Sequence, residues 1–563
     1  MNRAERRFQD RKVAKSGQAY GHLSLKQLFD DAVRHHQSGR FQQAEELYQQ
    51  VLSQELQHSD TLHLLGVLAY QQSQFEQALD FISRAIQSQS QKSLYHFNLG
   101  LVHQKLGKTE DSIAAYQRAI ELKPNYAEAH TNLGNALRTK GDLTAAITAY
   151  RQALRVKPDS SAGFNNLGVV LKEQGHRNEA IEAYRQAVRL NQKNAEAHCN
   201  LGMALMEKDQ YDEALRAYQS AVEHNPGYAK AHHNLGLALL AKEQPVAALS
   251  ALRASADLVR NHCRSVKLHT ILPSRVKHDT EQLDYLMRQG LSFPSLEPYQ
   301  QALCSLRART AMTPGCNEPL SVTMEETEAL APSFSRIMHY AEAPSMPQGT
   351  LNPALDVKDI ERQYFANQPE ILCVDDLLRV EAIQALQKFC WESTIWKKDY
   401  ENGYIGAMFG EGFSCALLLE IATELRKTFR GIFKDHQLLQ AWAFKQDGQL
   451  KPLNIHADAA AVNVNFWITP NEANLDPSCG GLIVWDKEAP KDWDFALYNS
   501  SKHKPKIMEF LKANEAKPVV VPYRENRALI FNSDLFHESD RCEFRDEYTS
   551  RRINITFLYG HRN

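Results

Sequence analysis

Three things are scarce in these 563 residues, and each absence narrows the field. The nine cysteines are scattered and form no C-x-x-C pair, which argues against a disulfide framework and against a cysteine-built zinc site. Net charge is close to nil at −2, so neither a nucleic-acid surface nor a polybasic membrane anchor is expected. The short basic start, "MNRAERRFQDRK", reads as a solvated tail over residues 1–24. No long apolar run follows it and none approaches the length of a membrane span, so no secretory signal peptide and no transmembrane helix are expected. Free thiols without a leader point to a reducing, cytoplasmic compartment. The length suffices for roughly two to four domains, each with its own core.

What is present is first of all repetition. Gly66, Gly100, Gly134, Gly168, Gly202 and Gly236 follow one another at a fixed interval of 34 residues. Small residues recur in step with them (Ala44, Ala78, Ser112, Ala146, Ala180, Ala214, Ala248), each followed four positions on by a larger one: Tyr48, Ile82, Tyr116, Tyr150, Tyr184, Tyr218, Leu252. Each unit reads as two amphipathic helices, in which glycine and the small residue permit close approach and the large side chain fills the gap. The pattern resembles the tetratricopeptide repeat, in seven copies over residues 25–260, and that resemblance implies an α-solenoid, a tetratricopeptide superhelix.

One repeated position is not needed for packing. Asn98, Asn132, Asn166, Asn200 and Asn234 each open an "NLG" triplet, roughly 200° around the helix from the inward glycine. An amide donates and accepts together, which suits a peptide backbone of any sequence. The row resembles the asparagine ladder in the repeats of O-linked N-acetylglucosamine transferases, which implies a polypeptide partner along the concave surface. The opposing expectation is that these amides bond neighbouring repeats. The first two repeats depart from the row, with Asp30 and Leu64 at this position. His96, His130, His198 and His232 also recur and read as packing residues.

Beyond residue 260 the period stops. Residues 261–310, with "KHDTEQLDYLMRQG", read as capping or bridging helices, and residues 311–360 as a Pro-rich linker. From 361 to 563 a strand and two helices give way to short alternating runs, "LLQAWAFKQ", "AAVNVNFWIT", "GGLIVWD", "KPVVVPY", "RALIFN" and "RRINITFLYG", the pattern of a sandwich or barrel. In two of these runs one face carries Val462, Val464, Phe466 and Ile468, or Ile553, Ile555 and Phe557, and the other Asn463, Asn465, Trp467 and Thr469, or Arg552, Asn554 and Thr556. Such strands line a wet cavity.

His456 and Asp458, two apart on extended chain, share a face and can reach one ion together. The same H-x-D spacing at His58 and Asp60 warns that three letters prove nothing. Context supplies the rest, since "RALIFNSDLFHES" presents His537 and the last strand carries Arg552. Two histidines and a carboxylate on a β scaffold suit non-haem iron(II), with open positions left for other ligands. Together these runs resemble the double-stranded β-helix (jelly roll) of 2-oxoglutarate- and Fe(II)-dependent dioxygenases, especially the prolyl-hydroxylase branch, here with flanking helices.

That resemblance implies iron held by His456, Asp458 and His537, and the distal carboxylate of 2-oxoglutarate held by Arg552. It further implies O2 as co-substrate, leaves room for ascorbate, and makes Asn463, Asn465, Asn554 and Thr556 candidates for the cosubstrate shell. Arg552 is preferred to Arg551 because Arg551 falls on the face of Ile553 and Ile555. A tyrosine expected from an earlier strand is missing from "AWAFKQ", where Phe444 stands. The carboxylate at 458 favours hydroxylation over halogenation. The insertion between "GGLIVWD" and "KPVVVPY" reads either as a lid over the iron or as a surface ornament. The expectation is an oxidoreductase hydroxylating a protein or peptide side chain held by the repeats. Two alternatives stand beside it: a small-molecule hydroxylase whose repeats serve assembly, and a non-catalytic tetratricopeptide scaffold.

Overall fold

The computed structural model describes residues 24–261, 268–291, 293, 296–310, 317–400, 402–434, 436–446, 455–493, 495–499 and 503–561. They fall into two compact units divided between Ala204 and Leu205. The expected basic tail lies outside the described residues except for Ser24, which forms a capping box with Gln27 at the first helix.

The first unit is helical, from Leu25–Gln37 to Arg177–Leu190, with Ala195–Met206 at its end. The glycines of the repeated position stand where a side chain would not fit. A Cβ on Gly100 would lie 2.5 Å from Tyr116, on Gly134 2.9 Å from Tyr150, and on Gly168 2.6 Å from Tyr184. Each tyrosine thus occupies the space its partner glycine vacates, which is the packing reason for the 34-residue period. The recurrent histidines are structural: the rings of His96, His130 and His198 bond the carbonyls of Ser90, Pro124 and Gln192 at 2.9 Å. The upstream H-x-D pair is explained as well. The His58 ring accepts from the Thr61 N–H as a helix cap, and Asp60 accepts from Lys92 and Tyr95.

His63 stacks on Tyr95 with ring centroids 4.5 Å apart and meets the Asn98 amide at 2.7 Å. Burial pushes its pKa down from 6.5 to about 4. An unfolded chain therefore binds a proton at His63 that the folded chain refuses, and stability present above pH 6.5 is lost as the pH falls towards 4. Thermal unfolding of the full chain should accordingly shift to lower temperature across that window. His63→Gln should lose part of this pH dependence, the rest remaining with His103 and the other histidines whose pKa burial lowers, as circular dichroism melts at stepped pH would report.

The second unit opens with the helices Tyr211–His224, Ala229–Ala241 and Pro245–Arg260. The sequence places these with the repeats, up to residue 260; packing places them with the C-terminal region. Ser255 donates to the Gly410 carbonyl at 3.1 Å, Arg260 pairs with Glu411, and Lys427 meets Glu243 at 2.8 Å. A solenoid end is apolar and must be covered, and here the turn Phe409–Glu411 covers it.

The Pro-rich linker expected over 311–360 is not a linker where it is described. The helix Pro273–Arg288 packs with Glu297–Thr310 and Met324–Leu330 around Val276, Leu283, Leu303, Leu306 and Phe334. Ile337, Ala341, Ala343 and Leu351 are then buried along an extended strap. Its N–H groups are captured by side chains rather than by a ladder. Met338 and His339 donate to Thr394 Oγ1, Ala341 to Ser393 Oγ, Met346 to Glu420 and Thr350 to Glu424. Such a segment has neither helical nor strand period, so its burial leaves no pattern in the sequence.

Two antiparallel sheets follow. Strands β1 (Thr270–Ile271) and β2 (Leu320–Ser321) form a separate ribbon. The larger sheet has seven strands in the order β3-β10-β7-β12-β6-β5-β4. Those strands are β3 Ile371–Val374, β4 Lys398–Asp399, β5 Tyr404–Met408, β6 Leu438–Gln446, β7 Val462–Trp467, β10 Ala528–Asn532 and β12 Arg552–Tyr559. The smaller has β8 (Leu482–Glu488) between β11 (Leu535–Ser539) and β9 (Pro518–Val521). The sheets face each other across one cluster that takes Trp467, Leu529 and Phe531 from the larger and Leu482, Val484, Val521 and Leu535 from the smaller. Among the described residues no helix is long and apolar enough to cross a membrane.

Candidate metal centre

Register decides which side chains enter the space between the sheets. On β12 the residues Arg552, Asn554 and Thr556 alternate with Ile553, Ile555 and Phe557, and the pairs Thr556↔Asn465 and Asn554↔Trp467 align the polar positions of β12 and β7. The face of Ile553 and Ile555 turns the other way. Arg551 goes with that side, pairing with Glu281 of the helix Pro273–Arg288. Arg552 goes inward and is 1% exposed.

The segment 455–461 is not a ladder strand as the alternation implied; β7 starts only at Val462. His456 instead makes one isolated antiparallel bridge with His537. Each backbone N–H donates to the other's carbonyl, at 2.9 and 2.7 Å, and the rings lie 4.4 Å apart. On β11 the register against β8 shifts between Leu535 and His537, an irregularity of the kind that re-aims a side chain. Asp458 N–H is held by the Ser533 carbonyl. These three tethers bring one donor atom from each of His456, Asp458 and His537 within 4.8 Å of one another.

The surroundings fix the ligands' state. The Leu535 carbonyl lies 3.1 Å from His537 Nδ1, where it accepts the ring proton and leaves Nε2 for the site, 3.4 Å from Asp458 Oδ2. Asn463 Nδ2 donates to the same carboxylate oxygen at 2.8 Å. Burial alone would raise the Asp458 pKa. Its contacts with His537, His456 and the Asn463 amide together hold it below the usual carboxylate range. A carboxylate ionised between two imidazoles is a donor set for a divalent transition metal.

A polar path leads inward from there. Asn465 donates to Thr556 Oγ1 at 3.0 Å, and Asn554 reaches Asn465 at 3.5 Å. Arg552 donates to Gln446 Oε1 at 3.3 Å and to the Gly481 carbonyl at 3.0 Å. Asn463 Oδ1, Asn554 Oδ1, Arg552 Nε, Gln446 Nε2 and Trp467 Nε1 are buried without a partner among the described residues. Orphaned polar atoms in such number call for a polar occupant. The residues present therefore fit both an ion at the triad and an anionic organic ligand between the sheets.

Two inward residues escaped the sequence reading, while Trp467 lies on the face where its alternation put it. Gln446 ends a run whose alternation was visible but whose last position carried no motif. Tyr404 lies on β5 opposite Gln446, on the same face as Phe444, so a tyrosine does reach this face from an earlier strand. The alternation Tyr404, Gly406, Met408 was the available signal.

The insertion after β8 is anchored beside the ligands. Ala457 N–H donates to the Tyr498 carbonyl and Asn499 to the Ala457 carbonyl. Tyr498, Ile507 and Leu511 pack with Ile455 and Phe536. Next to the ligand loop an open groove of about 290 Å³ is lined by Tyr364, Phe365, His436, Ala460 and Asp534 among others.

The asparagine row is only partly a free ladder. Asn98 bonds His63, and Asn200 donates to Asn165 at 2.9 Å, each in the preceding repeat. Asn132 accepts from Asn135 on its own helix. Asn166 is half-buried and Asn234 belongs to the second unit.

Family models of the tetratricopeptide repeat match residues 97–161, 170–209 and 195–228, and a model of the anaphase-promoting complex, cyclosome, subunit 3 matches residues 37–119. No curated protein matches the chain. Among solved structures the chain is similar to YrrB, a TPR protein with an unusual peptide-binding site, at 28% identity over 31% of this chain and 91% of that one, with a TM-score of 0.28. It is also similar to pilF of Pseudomonas aeruginosa at 19% identity, over 36% and 93% of the chains, with a TM-score of 0.33. Similarity to the APC/C hetero-tetramer Cut9-Hcn1 is 19%, over 44% and 48%, with a TM-score of 0.34. The helical N-terminal region is thus built of tetratricopeptide repeats.

Proposed function

We propose that the chain is a 2-oxoglutarate- and Fe(II)-dependent dioxygenase, its two facing sheets a double-stranded β-helix, acting on a polypeptide side chain that the repeats help to hold. The observation that carries this is the convergence of His456, Asp458 and His537, with donor atoms within 4.8 Å, from sequence positions about eighty apart. Bound iron with 2-oxoglutarate and O2 would supply the oxidising power for C–H hydroxylation. The chain's own part is positional. His456, Asp458 and His537 hold the metal, Asn463 orients the carboxylate, and Arg552 receives the distal carboxylate of the cosubstrate. Asn465, Asn554 and Thr556 line the space between. A groove lined by aromatic and charged side chains lies beside the ligand loop, where a substrate side chain would approach. On the repeats, Asn132 and Asn166 are the ladder amides least engaged with neighbouring repeats.

A second reading is a tetratricopeptide scaffold without catalysis, which the family-model matches over residues 37–228 favour. Succinate formation from 2-oxoglutarate separates the two. Wild type with Fe(II) and cell extract should turn over cosubstrate and His456→Ala should not. Equal succinate from both proteins would leave the scaffold reading standing alone.

A further inference from the structure

Arg552 is buried, and among the described residues no carboxylate pairs with it. A guanidinium shut away from water with no counter-charge is costly unless an anion comes to it. Its neighbours are arranged as if to leave that place open. Guanidinium groups only donate, so the Gln446 amide must present its oxygen to Arg552 Nη1, 3.3 Å away. The Cys542 thiol donates to the same oxygen at 3.1 Å. With Oε1 pinned between two donors, the orientation of the amide is settled, and Nε2 is forced to face elsewhere. Nε2 is buried and has no acceptor among the described residues; neither has Arg552 Nε. The Trp467 indole lies 5.9 Å from the guanidinium carbon, and its own N–H is likewise buried without an acceptor.

We infer that Gln446 is a specificity residue: its Nε2 and the Arg552 guanidinium together form a cradle for a carboxylate, so that the space between the sheets selects a dicarboxylate over a monocarboxylate. The inference rests on the dioxygenase reading only for which dicarboxylate it is. Cys542 acts as a wedge behind Gln446, holding the amide in its donating orientation. An amide can be swapped isosterically for an acid. Gln446→Glu would place a carboxylate against Arg552 and fill the cradle from within.

The experiment is binding of small acids to the full chain by calorimetry, with thermal melts alongside. The probes are 2-oxoglutarate and 2-oxobutyrate with Mn(II), and glutarate with chelator. Gln446→Leu is expected to weaken 2-oxoglutarate and glutarate about ten- to a hundredfold, as loss of one hydrogen bond to a charged group does, while 2-oxobutyrate moves less than about twofold. Gln446→Glu should melt higher than wild type without ligand and lose the melting shift that glutarate gives. If Gln446→Leu binds both dicarboxylates within about twofold of wild type, the cradle is refuted. If glutarate binding depends on Gln446 while no succinate is ever formed, the cradle stands and the dioxygenase reading falls.

Discussion

Asp458→Ala is expected to lower divalent-metal affinity by more than roughly a hundredfold, since partners that merely orient a metal ligand are already worth ten to a hundredfold. The carboxylate is the one anionic donor of the triad, and it is buried between two imidazoles. Without it two neutral rings remain, with no charge to offset the desolvation of a dication. Turnover of 2-oxoglutarate should fall with metal occupancy. Mn(II) titration followed by electron paramagnetic resonance reads the affinity directly, free of any assumption about substrate. Unchanged affinity in Asp458→Ala would mean that the ion, if bound at all, sits elsewhere.

Arg275→Met is expected to destabilise the C-terminal unit by about 3–5 kcal/mol, the cost of breaking a buried charge network from one side. Arg275 donates to Asp279 at 2.7 Å, to Asp399 at 2.9 Å and to the Phe334 carbonyl at 3.0 Å, with its guanidinium 4.9 Å from the Phe334 ring. Asp279 also accepts from Tyr299 at 2.7 Å and lies 3.0 Å from the His278 ring. Burial works against the Asp279 carboxylate, yet Arg275 and His278 hold it far below the usual range. Methionine fills much of the arginine's volume but strands that charge in the core. Urea unfolding followed by tryptophan fluorescence measures the loss. The double variant Arg275→Met, Asp279→Leu should recover part of it, because removing both charges also removes the stranded one. A single variant as stable as wild type would show that this network does not anchor the segment.

The parts of the fold that rest on periodicity could be read in advance. The glycine–tyrosine spacing named its own packing partners, and the alternation on β7 and β12 assigned faces correctly, Arg552 inward and Arg551 outward included. The clustering of His456, Asp458 and His537 was legible because metal chemistry calls for such residue types in close sequence pairs on extended chain. What stayed illegible has a common physical cause. The strap from 331 to 354 satisfies its backbone through Ser393, Thr394, Glu420 and Glu424, partners remote in sequence. Gln446 matters through an orientation forced by Arg552 and Cys542, which no spacing encodes. The engagement of Asn98 and Asn200 with adjacent repeats likewise depends on what stands thirty-five positions earlier, His63 and Asn165.

The mutual backbone bond between His456 and His537 joins the stretch leading into β7, in the larger sheet, to β11, in the smaller. A dication gripped by side chains at that junction would act as a rivet between the two layers. By mass action, a hundredfold excess of free ion over its dissociation constant adds about 2.7 kcal/mol to whatever keeps the layers shut. Starved of ion, the seam there becomes the easiest part of the unit to prise open. If iron is the ion, as proposed, resistance to a protease would track iron supply, making the protein's survival in the cell a gauge of the metal.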